Sequence, residues 1–220
     1  MHASRPSTNA PRYERLWTRE LLGGQEAHFA EENVHILTAF YATFNIVLAL
    51  GCTFAAPTGP TAASKKSAQV FYERSQALIA HASVDHASIQ LVQALILTAQ
   101  YLQSTHLVNK CWVTVGTAVR VGQGIGVQLD LASESQAERQ ERKRTWWCCV
   151  LMDRVLSMTF GRPPMVVWPT IVTLPEPIDD EVLLTEPGSV AAPLRTQEMS
   201  MVGFFVQALK LTQILTDVLK

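Results

Sequence analysis

The sequence predicts an all-α protein, an irregular multi-helix bundle of about seven helices with a proline-rich extended segment before the last one. Two observations lead there. Apolar residues recur at three- and four-residue spacing in most segments, and strand-like alternation never persists beyond a few residues. The eleven prolines fall in three clusters, 6–11, 57–60 and 163–193, which leaves long proline-free segments between them.

Residues 1–25 read as a leader, disordered through Pro6, Ser7, Thr8, Asn9 and Ala10, with a short helix over 11–23 closed by Gly23-Gly24. A domain over 26–220 follows. Its first long helix spans 30–55 and stops before Pro57-Thr58-Gly59-Pro60. The next runs over 62–81, with Ala68, Phe71, Tyr72, Ser75 and Leu78-Ile79 at helical spacing. Asp85 or Ser88 caps a helix over 88–104, whose Ile89, Val92, Leu95-Ile96, Ala99 and Leu102 share a face. Asn109 caps another over 110–128, with Trp112, Val115, Val119, Gly122 and Ile125 inward. The polar run Ser133-Glu134-Ser135-Gln136 leads into a helix over 137–160. Residues 161–196 hold seven prolines and no helical period. The last helix starts near 197, takes Met201, Phe204-Phe205, Ala208, Leu211 and Leu215 as its inner face, and ends abruptly at Lys220 as at a truncation.

Composition narrows the function. Hydrophobic content of 48% against 17% charged residues describes a packed core. The net charge of −1 argues against a phosphate-gripping surface. The one basic run, Arg139, Arg142, Lys143 and Arg144, is interleaved with Glu138 and Glu141 and reads as a solvated first helical turn. Cys52, Cys111, Cys148 and Cys149 form no C-x-x-C pair, so no zinc framework exists, and the adjacent pair suits small buried residues of a reduced compartment. The first thirty residues lack the apolar core of a secretory signal. Ile36 to Ala56 could cross a bilayer by length, but its threonines, Asn45 and Gly51 and the lack of flanking anchors favour a buried core helix, so no membrane association is expected.

Catalytic constellations are not evident. Gly122-x-Gly124-x-Gly126 lacks the third glycine of a dinucleotide loop, since position 127 is Val127, and it closes a helix. No phosphate-loop or nucleophile-elbow motif occurs. His81, Asp85 and His86 come nearest to a metal site, but the two histidines lie about 140° apart on a helix. His28, His35 and His106 are isolated. No enzyme activity and no cofactor are expected of this chain. Asp153 and Arg154 sit within an apolar run, so at least one faces inward, and a buried carboxylate requires a cation. The sequence offers Arg120, or Arg162 of the Gly-Arg-Pro turn, as the structural partner of Asp153.

The order Arg142-x-Arg144-x-Trp146-Trp147, then Leu151-x-Asp153-Arg154, then Gly161-Arg162-Pro163 resembles a segment of the regulatory, or middle homology, domain of fungal zinc-cluster transcription factors of the xylanolytic-activator type. Tyr72-Glu73-Arg74-Ser75-Gln76-Ala77-Leu78 is similar to that family's "Y-x-R-A-x-x-L" helix. Ser88 to Leu97, followed by Tyr101-Leu102-Gln103-Ser104-Thr105, resembles its "S-I-x-x-V-Q-A-L-L-L…Y-L-Q-S-T". Cys111-Trp112 through Ala118-Val119-Arg120-Val121 and Gly126-Val127 is similar to "C-W-x-x-x-G-x-A-I-R-L-A-x-x-L-G-L", and Leu174 to Glu181 falls where the family carries "D-x-x-V-x-L-P". The ordered set covers about residues 35–220.

The resemblance implies a non-catalytic helical module that controls transcription in the nucleus by conformational change, in response to a small-molecule effector or a protein partner, with homodimerisation possible within the family. It implies that DNA and zinc binding belong to a six-cysteine N-terminal cluster. That cluster is not in this sequence, and no space for it exists before Tyr13, so neither function falls on any residue here. The alternative is a stand-alone truncated relative that pairs with full-length factors through its C-terminal helix and binds no DNA. Gly122 and Gly124 replace bulkier family residues and soften their helix by about 1 kcal/mol each.

Overall fold

The computed structural model describes residues 30–55, 59–81, 87–105, 107–129, 135–166, 172–178, 180 and 200–218. Over these residues it is all-α, with six helices and no strand. Helix α1 spans Ala30–Phe54, α2 Ala62–His81, α3 Ile89–Gln103, α4 Val108–Gly124, α5 Gln136–Phe160 and α6 Met201–Val218. The short helix expected over 11–23 lies outside the described residues.

Helix α3 is the axle of the assembly. It buries Leu91, Val92, Ala94, Leu95, Thr98, Ala99, Tyr101 and Leu102, leaves Gln100 and Gln103 exposed on the opposite side, and packs on α1, α2, α4 and α5. Ser88 starts it, its hydroxyl accepting from the Leu91 amide at 3.3 Å, which settles the choice between Asp85 and Ser88. Helices α1 and α2 form an antiparallel pair whose small residues Ala39, Ala42 and Ala49 let the backbones approach. Ser75 crosses that seam, its buried hydroxyl donating to the Ala42 carbonyl at 2.9 Å. Residues Val34–Phe54 are long and apolar enough to cross a bilayer by length and composition, but the row Ala39, Ala42, Ile46 and Ala49 is buried inside the bundle.

Two helix ends follow from left-handed glycines. At the end of α4, Gly126 has φ 68°, the Val127 amide reaches the Gly122 carbonyl at 2.9 Å, and the Gly126 amide reaches that of Gln123 at 3.1 Å. Gly161, φ 61°, ends α5 likewise, with the Arg162 amide donating to the Ser157 carbonyl at 3.1 Å. The Gly122-x-Gly124-x-Gly126 run is therefore a helix stop. Ser135 opens α5 with a capping box, its hydroxyl receiving the Glu138 amide while the Glu138 carboxylate receives the Ser135 amide at 3.0 Å.

Two expectations need correction. Leu107, not Asn109, precedes the first turn of α4; Asn109 lies inside the helix and accepts a hydrogen bond from Arg162 at 2.6 Å. The inner face of α6 is Val206, Leu209 and Thr212 with Phe205 beside them, while Met201, Phe204 and Leu211 are exposed, Phe204 and Leu211 by about two thirds (66% and 67%). The helix is apolar on both sides, so periodicity alone could not say which side faces α5.

Candidate functional site

After α5 the chain turns at Gly161, and the described residues 162–166, 172–178 and 180, called the strap below, lie back along that helix, held mainly by side chains of one face. Gln136, Gln140, Lys143, Trp147 and Arg154 recur at four, three, four and seven residues, so they form one stripe. Arg154 and Asp153 hold Val166; Lys143 and Trp147 hold Thr173; Gln140 and Gln136 hold Glu176; Arg144 holds Ile178 and Asp180. From Val166 to Glu176 the helix numbers fall as the strap numbers rise, which gives the antiparallel sense, while Arg144 reaches outside this order to Ile178 and Asp180.

The near end of the strap is anchored by a buried ion pair. The side chains of Asp153 and Arg154 are 0% and 1% exposed and lie 2.8 Å apart, between Arg Nη1 and Asp Oδ2. Asp153 also accepts the backbone amides of Met165, at 3.0 Å, and Val166, at 2.9 Å, and Arg154 donates to the Val166 carbonyl. Two strap amides and a guanidinium thus satisfy the carboxylate, which is the condition for burying one. Burial pushes the Arg154 pKa down and Asp153 opposes the shift.

The expected partners of Asp153 were Arg120 or Arg162; the structure pairs it with neither. Arg120 is exposed on α4 and contacts Gln123 at 3.4 Å, while Arg162 lies over the Trp112 ring at 5.1 Å and bonds Asn109. Adjacent helical residues diverge by about 100°, which made Arg154 an unpromising partner in sequence. The pair forms because the strap supplies peptide groups between the two side chains.

The far end of the strap is held differently. The Glu176 amide donates to Gln140 Oε1 at 2.9 Å, Lys143 Nζ reaches Thr173 Oγ1 at 2.8 Å, and Trp147 Nε1 donates to the Thr173 carbonyl at 3.1 Å. Arg144 bonds the Ile178 carbonyl and Asp180, whose side chain is 76% exposed. Arg142 turns the other way and caps the Gly126 carbonyl at the end of α4. Of the basic run expected to be a solvated first turn, Arg142, Lys143 and Arg144 instead tie down neighbouring segments.

The remaining motif positions are structural neighbours of this site. Trp146 is buried against Gly122 and Val92, where a β-carbon on Gly122 would sit 3.9 Å from the indole. Trp147 is 2% exposed and faces the strap. Gly161 makes the turn, Arg162 closes it onto α4, and Pro163 is exposed at the start of the strap. Sequence reasoning missed Gln140, which is fully buried, together with the tying roles of Lys143 and Arg144. The available signal was the helical stripe that Gln140 and Lys143 share with Trp147 and Arg154.

Cys148 and Cys149 are side by side in α5; burial pushes the Cys148 thiol up to about 11 and raises Cys149 as well, which keeps both protonated near neutrality. Among the described residues no cluster of three metal-ligating side chains occurs. Of the His81, Asp85 and His86 group, the last two and the His81 side chain lie outside the described residues.

Residues 30–220 match the family described as the fungal specific transcription factor domain. The chain is 28% identical over 155 residues to the nitrogen assimilation transcription factor nit-4 of Neurospora crassa, covering 69% of this chain and 14% of that protein. It is 24% identical over 187 residues to the lactose regulatory protein LAC9 of Kluyveromyces lactis, covering 82% of this chain and 21% of that protein. With the transcription factor FBD3 of Fusarium pseudograminearum it shares 33% identity over 99 residues, 44% of this chain and 13% of the relative. The chain thus spans about a fifth or less of the length of these relatives. No solved structure matches it.

Proposed function

Since this chain belongs to the fungal specific transcription factor domain family, we propose that it regulates a transcription factor by docking and releasing the far part of the strap, residues 172–178 and 180, in response to an effector molecule or a protein partner. The supporting observation is the contrast between the two ends. The near end is locked by a buried ion pair, whereas the far end is held by polar ties, several of them exposed, together with buried Pro175 and the partly buried Val172 and Leu174. Such ties exchange hydrogen bonds with water and contribute about 0.5–1.5 kcal/mol each, so the released state lies several kcal/mol above the docked one, within the range of a ligand's binding free energy. A ligand that favours one of them by a comparable amount shifts the population. The module is non-catalytic and works in the nucleus, with DNA and zinc binding assigned to a separate domain of the longer protein.

The test is a reporter assay in a fungal cell, with the full chain fused between a heterologous DNA-binding domain and an activation domain. Cutting two ties with Lys143→Ala and Arg144→Ala should change reporter output severalfold at equal protein level. Unchanged output would contradict the reading.

A second reading, a partner-binding protein with no DNA reader of its own, draws on the outward row Met201, Phe204, Leu211 and Ile214 of α6. The same assay separates the two. The unfused chain is silent under the first reading and alters the output of a co-expressed full-length relative under the second.

A further inference from the structure

The outer face of α4 carries a groove that the strap ties do not use. Val113, Gly116, Thr117, Arg120 and Gly124 line it at helical spacing, Met165 forms one wall, and its volume is about 610 Å³. Two glycines create it. A β-carbon on Gly124 would meet nothing within 4 Å, and one on Gly116 would meet only Met165, at 3.4 Å from the sulfur. A volume in the range of small-molecule sites, lined mostly by apolar atoms with Thr117, whose hydroxyl donates to the Val113 carbonyl, and one charged polar group, is the usual form of a ligand pocket.

The charged group is Arg120. It is exposed, no carboxylate of the described residues pairs with it, and its contact with Gln123 is long at 3.4 Å. The planar fork of an arginine matches a carboxylate with two parallel hydrogen bonds. One cation in an apolar groove balances one negative charge; a phosphate dianion would leave charge uncompensated beside Val113 and Met165. We propose that this groove binds a small apolar monocarboxylate, its chain along the Gly116–Gly124 hollow under Met165 and its carboxylate on Arg120.

The site deepens the regulatory reading above and rests on it for its purpose. Met165 is the first strap residue held by Asp153, so a ligand that moves its side chain bears on the anchored end of the strap.

The test uses the full chain labelled at its methionine methyl groups and titrated with octanoate or octanol below their aggregation concentrations. The Met165 methyl resonance, assigned through Met165→Leu, should move with octanoate in a saturable way. Arg120→Gln should weaken octanoate about five- to tenfold and leave octanol unchanged. Gly116→Leu should remove both responses, with the circular dichroism melt showing that it folds. No saturable Met165 shift at millimolar octanoate would overturn the proposal, as would an Arg120→Gln variant that binds octanoate unchanged or loses both probes equally. A failed titration removes the groove and leaves the strap reading to the reporter assay; a silent reporter with saturable octanoate binding removes the strap reading alone.

Discussion

Replacing Asp153 with alanine is expected to lower the unfolding free energy by about 3–5 kcal/mol, the cost of breaking a buried ion pair by removing one partner. The carboxylate is fully buried and accepts three groups, the Arg154 guanidinium and the amides of Met165 and Val166. Alanine leaves that guanidinium buried without its counter-charge and takes the acceptor from both amides. The double change Asp153→Leu with Arg154→Met removes both charges and should recover much of the loss, because two apolar side chains of similar volume leave no uncompensated charge. Urea unfolding of the three proteins at equal m-value measures this. A loss under about 1 kcal/mol for the single variant would mean that water or another group already satisfies Arg154.

Trp147→Ala should cost a comparable amount, about 3–5 kcal/mol, for removing a large buried aromatic side chain. The indole is one of the largest fully buried side chains, and its N–H donates to the Thr173 carbonyl. Trp147→Phe separates the two contributions. It keeps most of the apolar volume, gives up the bond to the strap, and should cost clearly less than alanine. Chemical unfolding again reads both. Equal losses for Phe and Ala would assign the whole effect to the hydrogen bond and contradict the packing account.

The elements were legible because their signals are local. Helical spacing in 62–81 and 88–104, Ser88 as one of two candidate caps, and the stops at 126 and 161 each act within a few residues, and the structure places them as the sequence reads, while Ser135, read only as part of a polar linker, turns out to cap α5. The orientation of α6 was not legible, since Met201, Phe204, Leu211 and Val206, Leu209 offer two apolar faces and only the position of α5 selects one. The site was half legible. That at least one of Asp153 and Arg154 faces inward followed from their apolar setting, but the burial of both and their pairing depend on peptide groups of the strap twelve and thirteen residues from Asp153. The basic run misled for a related reason. Lys143 and Arg144 look solvated until an irregular segment with no period of its own comes to lie against them.

The claim that the far part of the strap is a separately moving element is tested most directly by amide hydrogen exchange on the full chain, comparing Glu176, Val166 and the α3 core. The Glu176 amide, held by the Gln140 side chain, should exchange through a local opening a few kcal/mol below global unfolding. The Val166 amide, held by Asp153, should be protected more strongly. Lys143→Ala with Arg144→Ala should speed Glu176 about tenfold or more and leave Val166 and α3 unchanged. Glu176 protected as strongly as the α3 core, and indifferent to the loss of both ties, would show a strap that unfolds only with the whole domain.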